Sequence, residues 1–150
     1  LQDHLLIFFT GISRTASEIA GEQIKKIPKI KKDLEEMYHL VDSAMQICIT
    51  QHADLMEFGD LLHETWMLKK KLTTKISNKK IDEIYDTARS EGAIGGKLLG
   101  AGGGGFMLFF AQPENHAKII SSLHSLLHVP FKFEFSGSQI IFFEPSKVNK

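Results

Sequence analysis

One cysteine, no excess of either charge and no long hydrophobic run set the first limits on this chain of 150 residues. A lone Cys48 excludes a disulfide framework and points to a reducing, cytoplasmic setting. It falls in an apolar helical stretch without an electropositive neighbourhood, so a small buried hydrophobe is expected rather than a reactive thiol. Lys plus Arg and Asp plus Glu number 18 each, so no global attraction to nucleic acid or to an anionic membrane is built in. The longest apolar runs, Leu5 to Phe9 and Phe106 to Ala111, are far short of the roughly 20 residues that span a bilayer. Partners of both kinds are therefore not expected. No signal peptide is in view, and the opening directly on a strand-like segment without an initiator Met reads as a cut through a larger protein. Repeats and polar linkers are missing too, and with 43% hydrophobic residues and 11 Phe one domain with one core is expected.

What the chain does have is glycine in one place. Gly100-Ala101-Gly102-Gly103-Gly104-Gly105 is led in by Gly95-Gly96-Lys97-Leu98-Leu99 and followed by Phe106-Met107-Leu108-Phe109-Phe110. Glycine loses the most backbone entropy on folding, so a packed domain keeps such a run where φ must be positive or something must come very close. The flanking apolar segments argue against a flexible linker. An anion-holding loop between a helix and a strand is the expectation.

Leu5-Leu6-Ile7-Phe8-Phe9 reads as a buried strand. Thr15-Ala16-Ser17-Glu18 is a capping box for a short helix to about Lys26, with Pro28 as its stop. From Asp33, the spacing of Leu34, Met37, Tyr38, Val41, Ala44, Met45 and Cys48 predicts a long amphipathic helix. Asp54 with Glu57 opens the next, whose stripe of Leu55, Phe58, Leu62 and Trp66 should be core. Asn78 caps a helix carrying Ile81, Ile84, Tyr85 and Ala88 and ended by Gly92. Pro113 starts a helix to about His128, and Phe131–Phe135 with Gln139–Phe143 reads as a closing hairpin around Ser136-Gly137.

This order predicts an α+β two-layer sandwich of ferredoxin-like character, a mostly antiparallel four-stranded sheet with helices on one face. Lysines 25, 26, 29, 31, 32 and 69, 70, 71 read as solvated helix ends that complement the dipole.

Two standard phosphate cradles fail. Gly100-x-Gly102-x-x-Gly105 matches the dinucleotide fingerprint by letter, but a β-prone run follows where a helix must open. Gly96-Lys97 is followed by Leu98 and preceded at the required spacing by Glu91, which is no P-loop. Bare backbone amides at the start of a strand remain, able to form an anion-binding nest.

Gly96-Lys97-Leu98-Leu99-Gly100-Ala101-Gly102-Gly103-Gly104-Gly105-Phe106 resembles the third conserved motif of the GHMP kinases, the superfamily of galactokinase, homoserine kinase, mevalonate kinase and phosphomevalonate kinase. Thr10-Gly11-Ile12-Ser13-Arg14-Thr15-Ala16-Ser17, and Leu68-Lys69-Lys70-Lys71-Leu72 with Ile76-Ser77-Asn78, resemble its branch that phosphorylates D-glycero-D-manno-heptose 7-phosphate. The likeness runs over essentially the whole chain and implies the C-terminal domain of such an enzyme, residues 1–150.

The resemblance implies transfer of the ATP γ-phosphoryl group to a hydroxyl of a heptose phosphate or related sugar, with Mg²⁺. Gly100, Ala101, Gly102, Gly103, Gly104 and Gly105 carry over as the cleft loop, whose pre-oriented amides would stabilise charge on the transferring group. Ser13 and Arg14 match a segment bordering the acceptor pocket. Arg14 is then either a bidentate sugar-phosphate clamp or a surface ion pair with Glu18, and Lys97 either a cleft cation or a strand-edge lysine. The family's ATP loop, Pro-x-x-x-Gly-Leu-Gly-Ser-Ser, appears nowhere in the 150 residues. ATP, Mg²⁺ and the acidic group near the acceptor hydroxyl would thus be held mainly by an N-terminal domain, the implied partner. No catalytic residue falls to this chain, which alone should be inactive.

His124 and His128 lie at zinc-compatible i, i+4 spacing without the Glu of a His-Glu-x-x-His motif or a third ligand, so no metal site is expected. His63-Glu64 and His52-x-Asp54 add nothing, and no nucleophile motif occurs. The alternative to a kinase half is a free-standing α+β module that holds an anionic metabolite without chemistry.

Overall fold

The β-branched and aromatic run after a short 3-10 turn forms β1, Leu5–Phe9, and its alternation puts Leu6 and Phe8 on one face. The computed structural model describes residues 1–13, 16–51 and 53–142, with Ala16 and Glu18 described by their backbone alone. Three helices follow β1: α1, Ala16–Ile49; α2, Leu55–Leu72; and α3, Lys79–Ser90. Then come β2, Ala93–Leu98, β3, Phe106–Ala111, a 3-10 turn at Pro113–Asn115, α4, His116–Ser122, and β4, Leu127–His128.

The strands form one antiparallel sheet in the order β2-β3-β1-β4, so β1 and β3 are central. Leu6, Phe8, Met107 and Phe109 share a face with Leu98, where Tyr85 of α3 packs on Phe109 and Trp66 of α2 packs on Tyr85. Ile119 and Leu123 from the α4 region complete this core. The fold class follows the expected α+β arrangement of a four-stranded antiparallel sheet with helices.

Individual elements differ. Pro28 does not stop the first helix: α1 runs unbroken from Ala16 to Ile49. Proline removes one amide and frees the carbonyl four residues earlier, and both Pro28 and Ile24 are exposed, so water can take up the Ile24 carbonyl. The predicted stripe from Leu34 to Cys48 is only partly inward, because it lines an open cavity against α2 rather than a closed core. Tyr38, Val41 and Met45 are exposed, and so is Cys48, against the expectation of a buried thiol.

The strand β2 replaces what read as a lead-in to the loop, because two interior glycines weaken a strand signal. They are there for contact. A Cβ on Gly95 would lie 1.8 Å from the Gly59 carbonyl oxygen of α2. Helix and strand backbones touch at this point, and α2 lies along β2.

The hairpin over Phe131–Phe135 and Gln139–Phe143 does not form in the described residues, which stop at 142. The fourth strand is β4 instead. An isolated hairpin is marginal without a surface to bury one face, and Phe135, Ile140, Ile141 and Phe142 are all exposed. The helix after Pro113 ends at Ser122, well before His128. The caps at Asp54 and Asn78 form, accepting from the amides of Met56 at 2.8 Å and Ile81 at 3.1 Å, and Gly92 ends α3 with φ +103°. The box at Thr15 lies outside the described residues.

Candidate functional site

The glycine loop joins two strands: it is the turn between β2 and β3, not a helix-to-strand passage. Gly100, Gly102, Gly103 and Gly105 have φ of +76°, +120°, +75° and +103°. The run of glycine is therefore a conformational requirement of a tightly coiled turn.

Two neighbouring segments clamp the loop. On one side, buried Thr10 donates from its amide and its hydroxyl to the Gly105 carbonyl at 2.9 and 2.8 Å, and Gly105 N–H donates to Ile12 O at 2.9 Å. On the other, Gly103 N–H donates to Ile76 O at 2.8 Å. A Cβ on Gly102 would stand 2.8 Å from Ile76 Cα, and one on Gly104 would stand 2.5 Å from Ile12 O. Ile76 is fully buried, so the loop rests on the core.

Three side chains hold loop carbonyls. Lys69 Nζ of α2 donates to Gly100 O at 2.6 Å and to Leu98 O at 3.2 Å. Gln23 Nε2 of α1 donates to Ala101 O at 3.3 Å, and Asn78 Nδ2 to Gly103 O at 3.4 Å. Among the described residues, the amides of Gly100, Ala101, Gly102 and Gly104 have no acceptor.

The sequence-derived site residues come together unevenly. Ser13 is exposed and directly follows Ile12, whose carbonyl holds Gly105, so the Ser13 segment and the loop are one unit. Arg14 lies outside the described residues. Lys97 is on the face of β2 opposite Leu98 and borders a cavity of about 510 Å³ between α1 and α2, lined by apolar residues such as Met37, Val41, Phe58 and Leu62. Burial holds its ammonium below the usual lysine range.

Sequence reasoning missed Lys69, Gln23 and Asn78 as loop partners. Lys69 and Lys70 lie in the last turn of α2 as expected but are not simply solvated: Lys69 reaches the loop and Lys70 pairs with Asp82 of α3 at 2.8 Å. Lysines 25 to 32 sit inside α1 rather than at a helix end. One signal was available for Lys69, which continues the Leu62, Trp66 stripe at i+3. Burial, then the charge of Lys97, lowers its pKa to about 8.

His63 Nδ1 and Tyr85 Oη meet at 2.7 Å beneath α2. Burial lowers the imidazole and pushes the phenol up to about 12. This is a core polar contact away from the loop. Among the described residues no group of three or more His, Cys, Asp or Glu could hold a metal ion, and no helix is long and apolar enough to cross a membrane.

The chain is similar to known kinases. The family model described as "GHMP kinases C terminal" matches residues 32–126. D-glycero-alpha-D-manno-heptose 7-phosphate kinase of Campylobacter jejuni is 32% identical over 124 residues, 82% of this chain and 36% of that protein. Mevalonate kinase of Pyrococcus abyssi is 33% identical over 114 residues, 71% of this chain and 33% of its own length. In structure, L. major mevalonate kinase in complex with R-mevalonate aligns with a TM-score of 0.70 at 23% identity, over 83% of this chain and 40% of that one, a likeness of fold. The chain thus spans about a third of the length of these curated relatives. Its matched residues are the C-terminal part of longer kinases, and the chain belongs to the GHMP kinase family.

Proposed function

We propose that this chain is the C-terminal domain, over residues 1–150, of an ATP-dependent sugar kinase that phosphorylates a hydroxyl of a heptose phosphate or related sugar. One observation carries the reading: a loop in which side chains hold the Gly100, Ala101 and Gly103 carbonyls while the amides of Ala101, Gly102 and Gly104 have no acceptor among the described residues. Backbone amides fixed before the reaction stabilise phosphoryl charge without reorganising, the main source of catalysis in phosphoryl transfer. Similarity to the Campylobacter heptose phosphate kinase supports the acceptor class.

The loop fits phosphate, because it offers donors and no carboxylate. On this reading the Mg²⁺ ligands and most of the ATP site are held by an N-terminal domain, and no acidic cluster among the described residues competes for that role. ATP and Mg²⁺ supply the transferable phosphoryl group and its charge neutralisation when bound. This chain's residues form the opposite wall: Gly100 to Gly105 face the phosphates, and Ser13 with Arg14 borders the sugar. Such an enzyme works in the cytoplasm, where ATP and sugar phosphates are found.

The test is ATP turnover by the full-length protein with a panel of acceptors: heptose 7-phosphate, hexose 6-phosphates, galactose, fucose and mevalonate. Heptose 7-phosphate should give the highest kcat/KM, and residues 1–150 alone should give none. Turnover only with mevalonate would move the acceptor class, and no turnover with any acceptor would favour a metabolite-binding module instead.

A further inference from the structure

Each planar trans peptide points its C=O and its N–H in opposite directions. A side chain that holds the carbonyl of one residue therefore aims the amide of the next. The Gly100 carbonyl is held by Lys69, so the Ala101 N–H points the other way. The Ala101 carbonyl is held by Gln23, which sets the Gly102 N–H, and the Gly103 carbonyl is held by Asn78, which sets the Gly104 N–H. These three amides, with that of Gly100, are the loop amides without an acceptor among the described residues. The two other loop amides, of Gly103 and Gly105, donate to Ile76 and Ile12 and anchor the turn.

We propose that Lys69, Gln23 and Asn78 are positioning residues that aim the Ala101, Gly102 and Gly104 amides by tying the preceding carbonyls to α2, α1 and the start of α3. This rests on the reading of the loop as the phosphate-facing wall. Lys69 does the most, because a charged donor at 2.6 Å makes a stronger bond than the two amide donors, and it grips two carbonyls where the loop leaves the edge of β2. Its position is costly without a purpose. The ammonium is half-buried and has no carboxylate partner among the described residues, and its pKa is lowered to about 8, whereas a solvated lysine would serve the α2 dipole as well. Asn78 also caps α3, so its variants mix two effects; Lys69 and Gln23 give the clean test.

The experiment compares the full-length wild type with Lys69→Met, Lys69→Arg and Gln23→Leu. Amide order parameters of the loop are measured by NMR, and kcat and KM for ATP and the acceptor by turnover. Lys69→Met should drop the Ala101 order parameter from the rigid range, about 0.85, to below about 0.6, with Gly103 and Gly105 unchanged. It should lower kcat by roughly tenfold or more at little-changed KM, the split expected when a donor acts on the transition state. Gln23→Leu should loosen Gly102 in the same way, and Lys69→Arg should restore most of both readouts. Unchanged loop order in Lys69→Met, or loosened loop amides with unchanged kcat, overturns the proposal. If the wild type transfers phosphate to no acceptor, the kinase reading fails, and the order parameters still decide whether the tethers aim the amides.

Discussion

Glycines within one loop do different work, and their substitutions separate the contributions. Gly100 has φ +76° with nothing within 4 Å of a built Cβ, so Gly100→Ala meets only the left-handed penalty, about 1 kcal/mol. Gly102 combines φ +120° with a Cβ 2.8 Å from the Ile76 backbone, so Gly102→Ala adds a clash that no rotamer change relieves. About 3 kcal/mol or more is expected there. Urea unfolding of the two variants gives the comparison; equal midpoints would mean that the loop is not seated on Ile76. The glycine run was legible in the sequence as a φ and close-approach signal. Its division into anchoring and free amides was not, because that depends on residues 12, 23, 69, 76 and 78, which only the fold brings to the loop.

Between elements, Glu22 is the clearest joint. Its carboxylate on α1 accepts from the Thr73 hydroxyl just past α2, and it pairs with Lys26 and Lys75, each at 3.0 Å. These contacts, the Thr73 hydrogen bond first, lower its pKa to about 2. A carboxyl depressed in the folded state adds stability that is present above its ordinary pKa, near 4.5, and is lost as pH falls towards 2. The domain should therefore lose stability between about pH 5 and pH 2, with a shallower slope in Glu22→Gln. Identical acid limbs in thermal melts at stepped pH would show that this joint does not hold α1.

Element reading succeeded where local physics decides and failed where distant packing does. The caps at Asp54 and Asn78 and the strands at Leu5 and Phe106 needed only their own neighbours. Pro28 misled because an exposed proline can sit within a helix, and β2 was hidden because its glycines serve contact with Gly59 rather than strand propensity. Phe131 to Phe135 carries a genuine alternation, but among the described residues it joins no sheet.

For the whole molecule, the sequence resemblance and the fold agree on the family, and in the proposed function the loop is one wall of a larger arrangement. The chain covers 36% of the Campylobacter kinase it matches, and exposed apolar residues on α1 border the cavity beside Lys97. The loop offers backbone donors, and no group of three or more His, Cys, Asp or Glu that could hold a metal ion occurs among the described residues. In the proposed function the Ala101, Gly102 and Gly104 amides face the transferring phosphate. Amide hydrogen exchange in the full-length protein, with and without a non-hydrolysable ATP analogue, Mg²⁺ and heptose 7-phosphate, tests this most directly. Ligand should slow exchange at these three amides by tenfold or more, while Gly103 and Gly105, already bonded to Ile76 and Ile12, change little. Saturating ligand with no added protection at any of the three would contradict the account.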